Sequence, residues 1–398
     1  MSVNIKTKKI LLVSHTISRP AHGAGAIVKR LFEYFPKGSY IAFTSRYDRN
    51  DKIVQEKQKL FCRYYFANLH SILRSYTRRV AIIEWLEVLP AALQGLNIIR
   101  KEKISDIIVI PTCGNFLLTA YIMHLLSRKP LSIYFLDLFA GNKSIRLRQW
   151  LSVPVEYLVV YASSNIFVMS ENLQEHYDKK YNIKTILLPH PINLSNNIKQ
   201  TKDENLTKRG KYDGSANIVF TGHIYDCQID CLQNLAKAIN HMNGVQLHIY
   251  TPRPKTHLDK VGVTGGNVIY YGFAEQTRIY DIQRNADILF LPHTFSLNPI
   301  LKNVTKTASP AKLPEYLNSG TPILVHAPEY AYISWYARKY GWGVVVDKPV
   351  PKLLKEVILK LLCNKTLKES LVENALNTVQ MHEVSKVANI LKKGLGLI

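Results

Sequence analysis

Short apolar runs, each followed by a helical pattern, recur along this chain in two successive series. The first comprises Ile10–Ser14, Tyr40–Thr44, Ile107–Pro111, Leu131–Asp137, Asn165–Ser170 and Thr185–Pro189. The second comprises Asn217–Gly222, Val245–Tyr250, Asn267–Phe273, Ile288–Leu291, Ile323–His326 and Gly343–Val346. Runs that are apolar throughout, rather than alternating, belong to strands buried on both faces, the condition of a parallel sheet covered by helices. Between the series, residues 194–214 are rich in Asn, Lys, Thr and Asp and keep no apolar period, as a linker does. A chain of 398 residues also exceeds the roughly 250–300 at which single cores stop growing. The pattern predicts an α/β protein of two Rossmann-like, doubly wound domains with a cleft between them. The expected division is 1–193, a linker at 194–214, a second domain at 215–375, and a helical tail at 376–398 that crosses back to the first domain.

Bulk properties narrow the class. Hydrophobic content of 47% with 20% charged residues suits a soluble globular protein. Five scattered cysteines, an odd number, argue for a reducing compartment without a disulfide framework. Cys227 and Cys231 lack a second Cys/His pair, so buried thiols are expected there rather than zinc. The polar, basic start Met1–Lys9 followed by the short run Ile10–Val13 does not resemble a secretory leader. The longest apolar stretch, Phe116–Leu126, falls short of the ~18–20 residues that cross a membrane. The expected location is the cytoplasm.

Charge points to a partner. The net charge is +23, and residues 1–210 hold 31 Lys/Arg against 15 Asp/Glu, while residues 211–398 hold 21 against 14. Such an excess suits an anionic partner, either nucleic acid or a membrane surface. Within the basic half, Leu69, Ile72, Leu73, Tyr76, Val80 and Ile83 recur at helical spacing among Arg74, Arg78 and Arg79. A helix of that kind lies on anionic headgroups, or is a domain helix with a solvated basic face.

Three stretches carry candidate chemistry. Ser309 to Gly320 reads as a helix, with Ser309 as N-cap, Pro310 as first residue and Gly320 as the stop; Pro314 either removes one bond or moves the start later. Lys312 and Glu315 share one face of it, while Leu313, Tyr316 and Leu317 would be buried. A cation and a carboxylate at a strand end suit a nucleotide-diphosphate site, and equally a surface ion pair. The loop Pro20–Ala26, containing His22, Gly23 and Gly25, precedes a predicted helix Ile27–Phe35 and reads as a phosphate loop or as a tight turn. Asp137 ends the run Leu131–Asp137, where open α/β sheets place ligands or cap a helix.

These stretches together resemble the family 4 retaining glycosyltransferases of the GT-B fold. Gly23-Ala24-Gly25, Tyr134–Phe139, Ile166–Leu173, Leu188–Pro191, Ile218–Gly222, Tyr271-Gly272, Ala286–Pro292 and above all Ser309–Val325 carry the likeness. The resemblance implies a nucleotide-sugar donor held by the second domain. Glu315 would grip the ribose, Ser309, Lys312 and the amides beside them would face the diphosphate, and Gly222 would let a loop close on the phosphates. Tyr271, Gly272 and Phe273 would lie against the base. The chain departs from the pattern at Thr307, where a first glutamate is usual, and at His223, where a cation is usual; Leu136 replaces a histidine before Asp137.

On this likeness Lys312 and Asp137 are the candidate catalytic residues. Cleaving a glycosyl–phosphate bond builds negative charge on the departing diphosphate, which each well-placed donor stabilises by about 3–4 kcal/mol. The departing diphosphate itself would receive the acceptor's proton. No Asp-x-Asp motif occurs, so metal independence is expected, with no cofactor beyond the donor itself. The implied activity is hexosyl transfer, with retention, to a lipid-linked or cell-surface glycan at the inner face of the plasma membrane, without nucleic acid. Two alternatives stay open: a non-catalytic nucleic-acid-binding or scaffold protein on the same fold, and a nucleotide-sugar epimerase.

Overall fold

The computed structural model describes residues 8–15, 17, 23–45, 60, 62–67, 86–111, 114–140, 146–194 and 216–398. The expected linker past residue 194, the basic helix at 69–83, His22 and Cys113 lie outside them. The chain divides into two compact units, residues 1–191 with 384–398, and residues 192–383.

In the first unit a seven-stranded sheet is built from β1 (Ile10–Val13), β2 (Tyr40–Ser45), β3 (Tyr64–Ala67), β4 (Asp106–Val109), β5 (Leu131–Phe135), β6 (Asn165–Val168) and β7 (Ile186–Leu187). Its order is β3-β2-β1-β4-β5-β6-β7, and every pair is parallel. Its central strands are fully buried, as their unbroken apolar runs require. The second unit holds a six-stranded parallel sheet of order β10-β9-β8-β11-β12-β13. These strands are β8 (Ala216–Thr221), β9 (Val245–Tyr250), β10 (Val268–Gly272), β11 (Ile288–Pro292), β12 (Ile323–His326) and β13 (Gly343–Val346). The doubly wound architecture is therefore present twice.

Several local expectations need correction. Gly23 and Gly25 do not form a loop: they open the helix Gly23–Phe32, where Ala24 and Ala26 are strong helix formers and Gly25 is buried. Strand β3, which the sequence reading did not anticipate, lies just before the stretch 69–83 read as a basic helix. Its aromatic run Tyr64-Tyr65-Phe66 has the β-propensity to pair with β2, and its neighbours anchor it. Arg63 and the Tyr65 hydroxyl both donate to Glu102, as does Lys9 at 2.8 Å. The Lys9 ammonium, followed by the Tyr65 hydroxyl, holds the Glu102 carboxyl down to about 2.

The tail forms helices Pro351–Cys363 and Lys365–Thr378 in the second unit and Val384–Gly394 in the first. The last packs on the helix Gly23–Phe32, with Lys8 Nζ donating to the Leu395 carbonyl at 3.0 Å.

One buried charge locks the first unit. Glu156, 1% exposed on the helix Arg146–Ala162, accepts from the Ala140 amide (2.8 Å), the Tyr177 hydroxyl (3.1 Å), the Tyr181 hydroxyl (2.6 Å) and Lys180 Nζ (2.6 Å). The buried Ala140 amide and the Tyr177 and Tyr181 hydroxyls lose their acceptor if the carboxylate goes. Glu156→Ala is expected to destabilise the protein by about 3–5 kcal/mol in urea unfolding; a loss below about 1 kcal/mol would refute the role given to this cluster.

Candidate functional site

The site is built at the carboxyl ends of β8, β11 and β12, all inside the second unit. β8 ends at Thr221, and Gly222 follows with φ +102°, a left-handed value that favours glycine. Its amide donates to the Tyr250 carbonyl at 2.8 Å. The Thr221 amide donates to the Tyr316 hydroxyl at 3.0 Å, and Gln283 Nε2 donates to Thr221 Oγ1 at 3.0 Å. The end of β8 is thus pinned by two side chains from other elements. Tyr316 was legible in the sequence only as a core residue, which it also is; nothing in its spacing announced the hydrogen bond.

The Ser309–Gly320 stretch does not form one helix. A turn closes with the Leu313 amide donating to the Pro310 carbonyl at 2.9 Å, and the helix proper is only Leu313–Leu317. Lys312 stands at its N-cap with no side-chain cap bond, so Ser309 is not the cap. The reason is Pro314: a proline is tolerated only in the opening turn, so the helix starts just before it. Asn318 is the C-cap and Gly320 takes φ +75° two residues later. Leu313, Tyr316 and Leu317 are buried as expected.

This arrangement aims Lys312 at the end of β8. Its Nζ lies 3.6 Å from the centroid of the Phe220 ring, and a Cβ built on Gly222 would sit 3.4 Å from its Cε and Nζ. The nitrogen is shielded from solvent and has no hydrogen-bond partner. Burial pushes its pKa from 10.5 to about 7, against the opposing pull of Glu315. A desolvated ammonium offers three donors and no acceptor. The cation–π contact returns only part of what it lost in leaving water. Such a group can hold an anion that brings its own acceptor atoms.

The other candidates fall in several places. Glu315 lies on the short helix one turn from Lys312, half-buried. His223 follows Gly222, its ring 4.7 Å from that of Tyr225. Tyr271, on β10, stacks on Tyr250 at 4.5 Å and on His248 at 5.5 Å, and its hydroxyl lies 3.1 Å from His248 Nδ1. Gly272 takes φ +73° and Phe273 beyond it is exposed. Thr307 is buried, its hydroxyl donating back to the Asn303 carbonyl at 3.3 Å. Gly23, Gly25 and Asp137 belong to the first unit; Asp137 is exposed two residues past β5. Cys231 is buried and donates to the carbonyls of His293 (3.1 Å) and His326 (3.4 Å), while Cys227 is half-buried. Among the described residues no group of three or more His, Cys, Asp or Glu side chains could hold a metal ion.

Solved structures show which fold this is. Sucrose-phosphate synthase from Thermosynechococcus elongatus superposes with a TM-score of 0.71 at 14% identity, covering 97% of this chain and 98% of that one. Anabaena HepE in complex with UDP-glucose gives 0.70 at 11% identity, covering 98% and 100%. WaaG, a glycosyltransferase involved in lipopolysaccharide biosynthesis, gives 0.60 at 14% identity, covering 98% and 99%. The chain has the GT-B fold. No family model matches it, and no curated protein matches it in sequence.

In this GT-B chain Lys312 makes a prediction that needs no ligand. Folded, it loses its proton near 7; unfolded, near 10.5. Between those values the unfolded chain binds the extra proton, so stability rises with pH across that window. Lys312→Met is expected to stabilise the protein at pH 7 by on the order of 1–4 kcal/mol. The gap should shrink towards pH 10 in urea unfolding. A variant less stable than the parent at pH 7 would show that the ammonium is not an uncompensated charge.

Proposed function

We propose that this protein is a metal-independent glycosyltransferase that moves a hexose from a nucleotide-sugar donor to a lipid-linked or cell-surface glycan, with retention of configuration, in building the cell envelope. The observation that carries the reading is the shielded, unpartnered Lys312 ammonium beside Gly222 at the carboxyl end of β8. That edge is where open α/β sheets bind ligands, and a diphosphate supplies the acceptors the ammonium lacks. The likeness in fold to enzymes such as sucrose-phosphate synthase, and to HepE solved with UDP-glucose, supports it. In this reading Lys312 stabilises charge growing on the departing diphosphate, and Glu315 holds the ribose. Gly222 and His223 flank the phosphates, Tyr271, Gly272 and Phe273 the base, and Asp137 orients the acceptor. The departing phosphate oxygen takes the acceptor's proton.

The enzyme works in the cytoplasm on the inner face of the plasma membrane. Support comes from three helices that pack side by side in the first unit, Val88–Lys101, Gly114–Ser127 and Arg146–Ala162. A Cβ on Gly95 would overlap Met123, so the first two lie close together. Their exposed residues include Leu89 and Leu93, Leu125 and Leu126, and Val153, Tyr157, Leu158 and Tyr161. The only carboxylate in these three helices is Glu156, which is buried. Arg100, Lys101, Arg128 and Lys129 stand at or just beyond helix ends. Exposed apolar and tyrosine side chains with basic residues at the helix ends suit an anionic lipid surface.

In a thermal-shift panel of nucleoside diphosphates, at least one should bind, and its sugar ester should be turned over; no binding and no turnover by any would sink the proposal. Glu315→Ala should weaken the bound nucleotide more than about tenfold, or 1.4 kcal/mol. In flotation assays the protein should travel with phosphatidylglycerol-containing vesicles and leave them at high salt. The pair Leu93→Glu with Tyr157→Glu should abolish flotation without lowering Tm by more than a few degrees. Retained flotation by that folded variant would remove this face from the membrane.

A further inference from the structure

The helix Asp226–Ile239 is stitched to the ends of β11 and β12 by consecutive side chains. Asp230 Oδ2 accepts from Thr294 Oγ1 at 2.9 Å and from the Phe295 amide at 2.8 Å. Cys231 donates to the two strand-end carbonyls already described, and Asn234 Nδ2 meets His326 Nε2 at 3.3 Å. Two polar atoms at this seam are left over. Asp230 Oδ1 is shielded from solvent and has no partner, and the same holds for the hydroxyl of Tyr330, four residues past β12. The two groups sense one another: after burial itself, the Asp230 carboxylate is what pushes the Tyr330 hydroxyl's pKa up. Beside Asp230 an open hollow of about 440 Å³ is lined by Asp226, Gln233, Thr294, Ser296, Phe295 and Leu301.

We propose that Asp230 and Tyr330 read hydroxyl groups of the sugar being transferred. The inference rests on the reading of Lys312 as the diphosphate grip, and it adds the part of the donor that grip does not touch. A sugar hydroxyl is donor and acceptor at once, so one free carboxylate oxygen and one free phenol make its complementary pair. Polar groups set beside Phe295 and Leu301 match the mixed surface of a hexose. Lys312 Nζ lies at the end of β8, the strand paired with β11, and Thr294, Phe295 and Ser296 just past β11 line the hollow. The Asp230 and Tyr330 side chains are both half-buried, and Asp230 stands on the wall of the hollow.

The test is isothermal titration of UDP, ADP, GDP and TDP, each alone and as its glucose, galactose and mannose esters. Tyr330→Phe removes a hydroxyl that bonds to nothing in the free protein, so Tm should hold or rise. Affinity for the effective diphosphate should stay within twofold, while its sugar ester weakens about fivefold. Asp230→Asn should weaken the ester by about tenfold or more with the diphosphate again unchanged. If wild type binds and neither variant alters the ratio of ester to diphosphate affinity, this inference is overturned alone. A fall in Tm for Tyr330→Phe with that ratio unchanged would overturn it too, showing that the hydroxyl serves only the fold. Failure of wild type to bind any of the panel would overturn the diphosphate reading and this inference with it.

Discussion

Parallel pairing is the constraint from which the second unit's site follows. With β9, β8, β11 and β12 all parallel, their carboxyl ends meet at one edge. Each end there leaves backbone groups that the ladder no longer satisfies. Side chains from elsewhere take them up: the Tyr316 hydroxyl serves Thr221, Cys231 serves His293 and His326, and Asp230 serves Phe295. Tyr316 lies one helical turn from Lys312, so the hydrogen bond that closes β8 also fixes where the ammonium points. Rigidity of the strand ends and placement of the cation are one arrangement.

Two buried charges in this protein behave in opposite ways, and the contrast assigns them. Glu156 accepts from four donors and leaves nothing unmatched, so its burial is repaid within the fold and it needs no ligand. Lys312 has an aromatic face, no hydrogen bond and a pKa brought down to about 7. A chain that keeps such a group carries an instability that a methionine would remove, and sites of function are where such costs persist. Asp230 Oδ1 and the Tyr330 hydroxyl share this character on a smaller scale.

What the sequence reveals follows from how each feature is encoded. Strands buried on both faces write themselves as apolar runs, so twelve of the thirteen strands among the described residues lie where such runs lie. The thirteenth, β3, is an edge strand anchored through Glu102 by Arg63, Tyr65 and Lys9; an edge strand needs no apolar run, and partners up to 93 positions apart leave no local pattern to read. Glycines in Gly23-Ala24-Gly25 read as a loop because propensity is counted residue by residue, whereas the helix is won by the packing of Ile27, Val28 and Leu31. Lys312 is visible in sequence because its motif is local. Asp230 and Tyr330 are 100 positions apart, and only the parallel crossover through β11 and β12 brings them to one edge.

The two units depart from the ordinary logic of a soluble protein in different ways. The first leaves leucines and tyrosines facing out of a helix layer whose only carboxylate is buried, and one of its helices, Gly114–Ser127, has no Asp, Glu, Lys or Arg in it. An apolar helix of that kind belongs in a core or against lipid, and this one has exposed leucines at its end. The second unit hides its irregularities inside, as polar atoms without partners. An apolar surface is satisfied by something broad and apolar, and a buried orphan donor by something small and polar. One chain carries both kinds of unmet demand, an apolar outer face in the first unit and buried orphan atoms in the second.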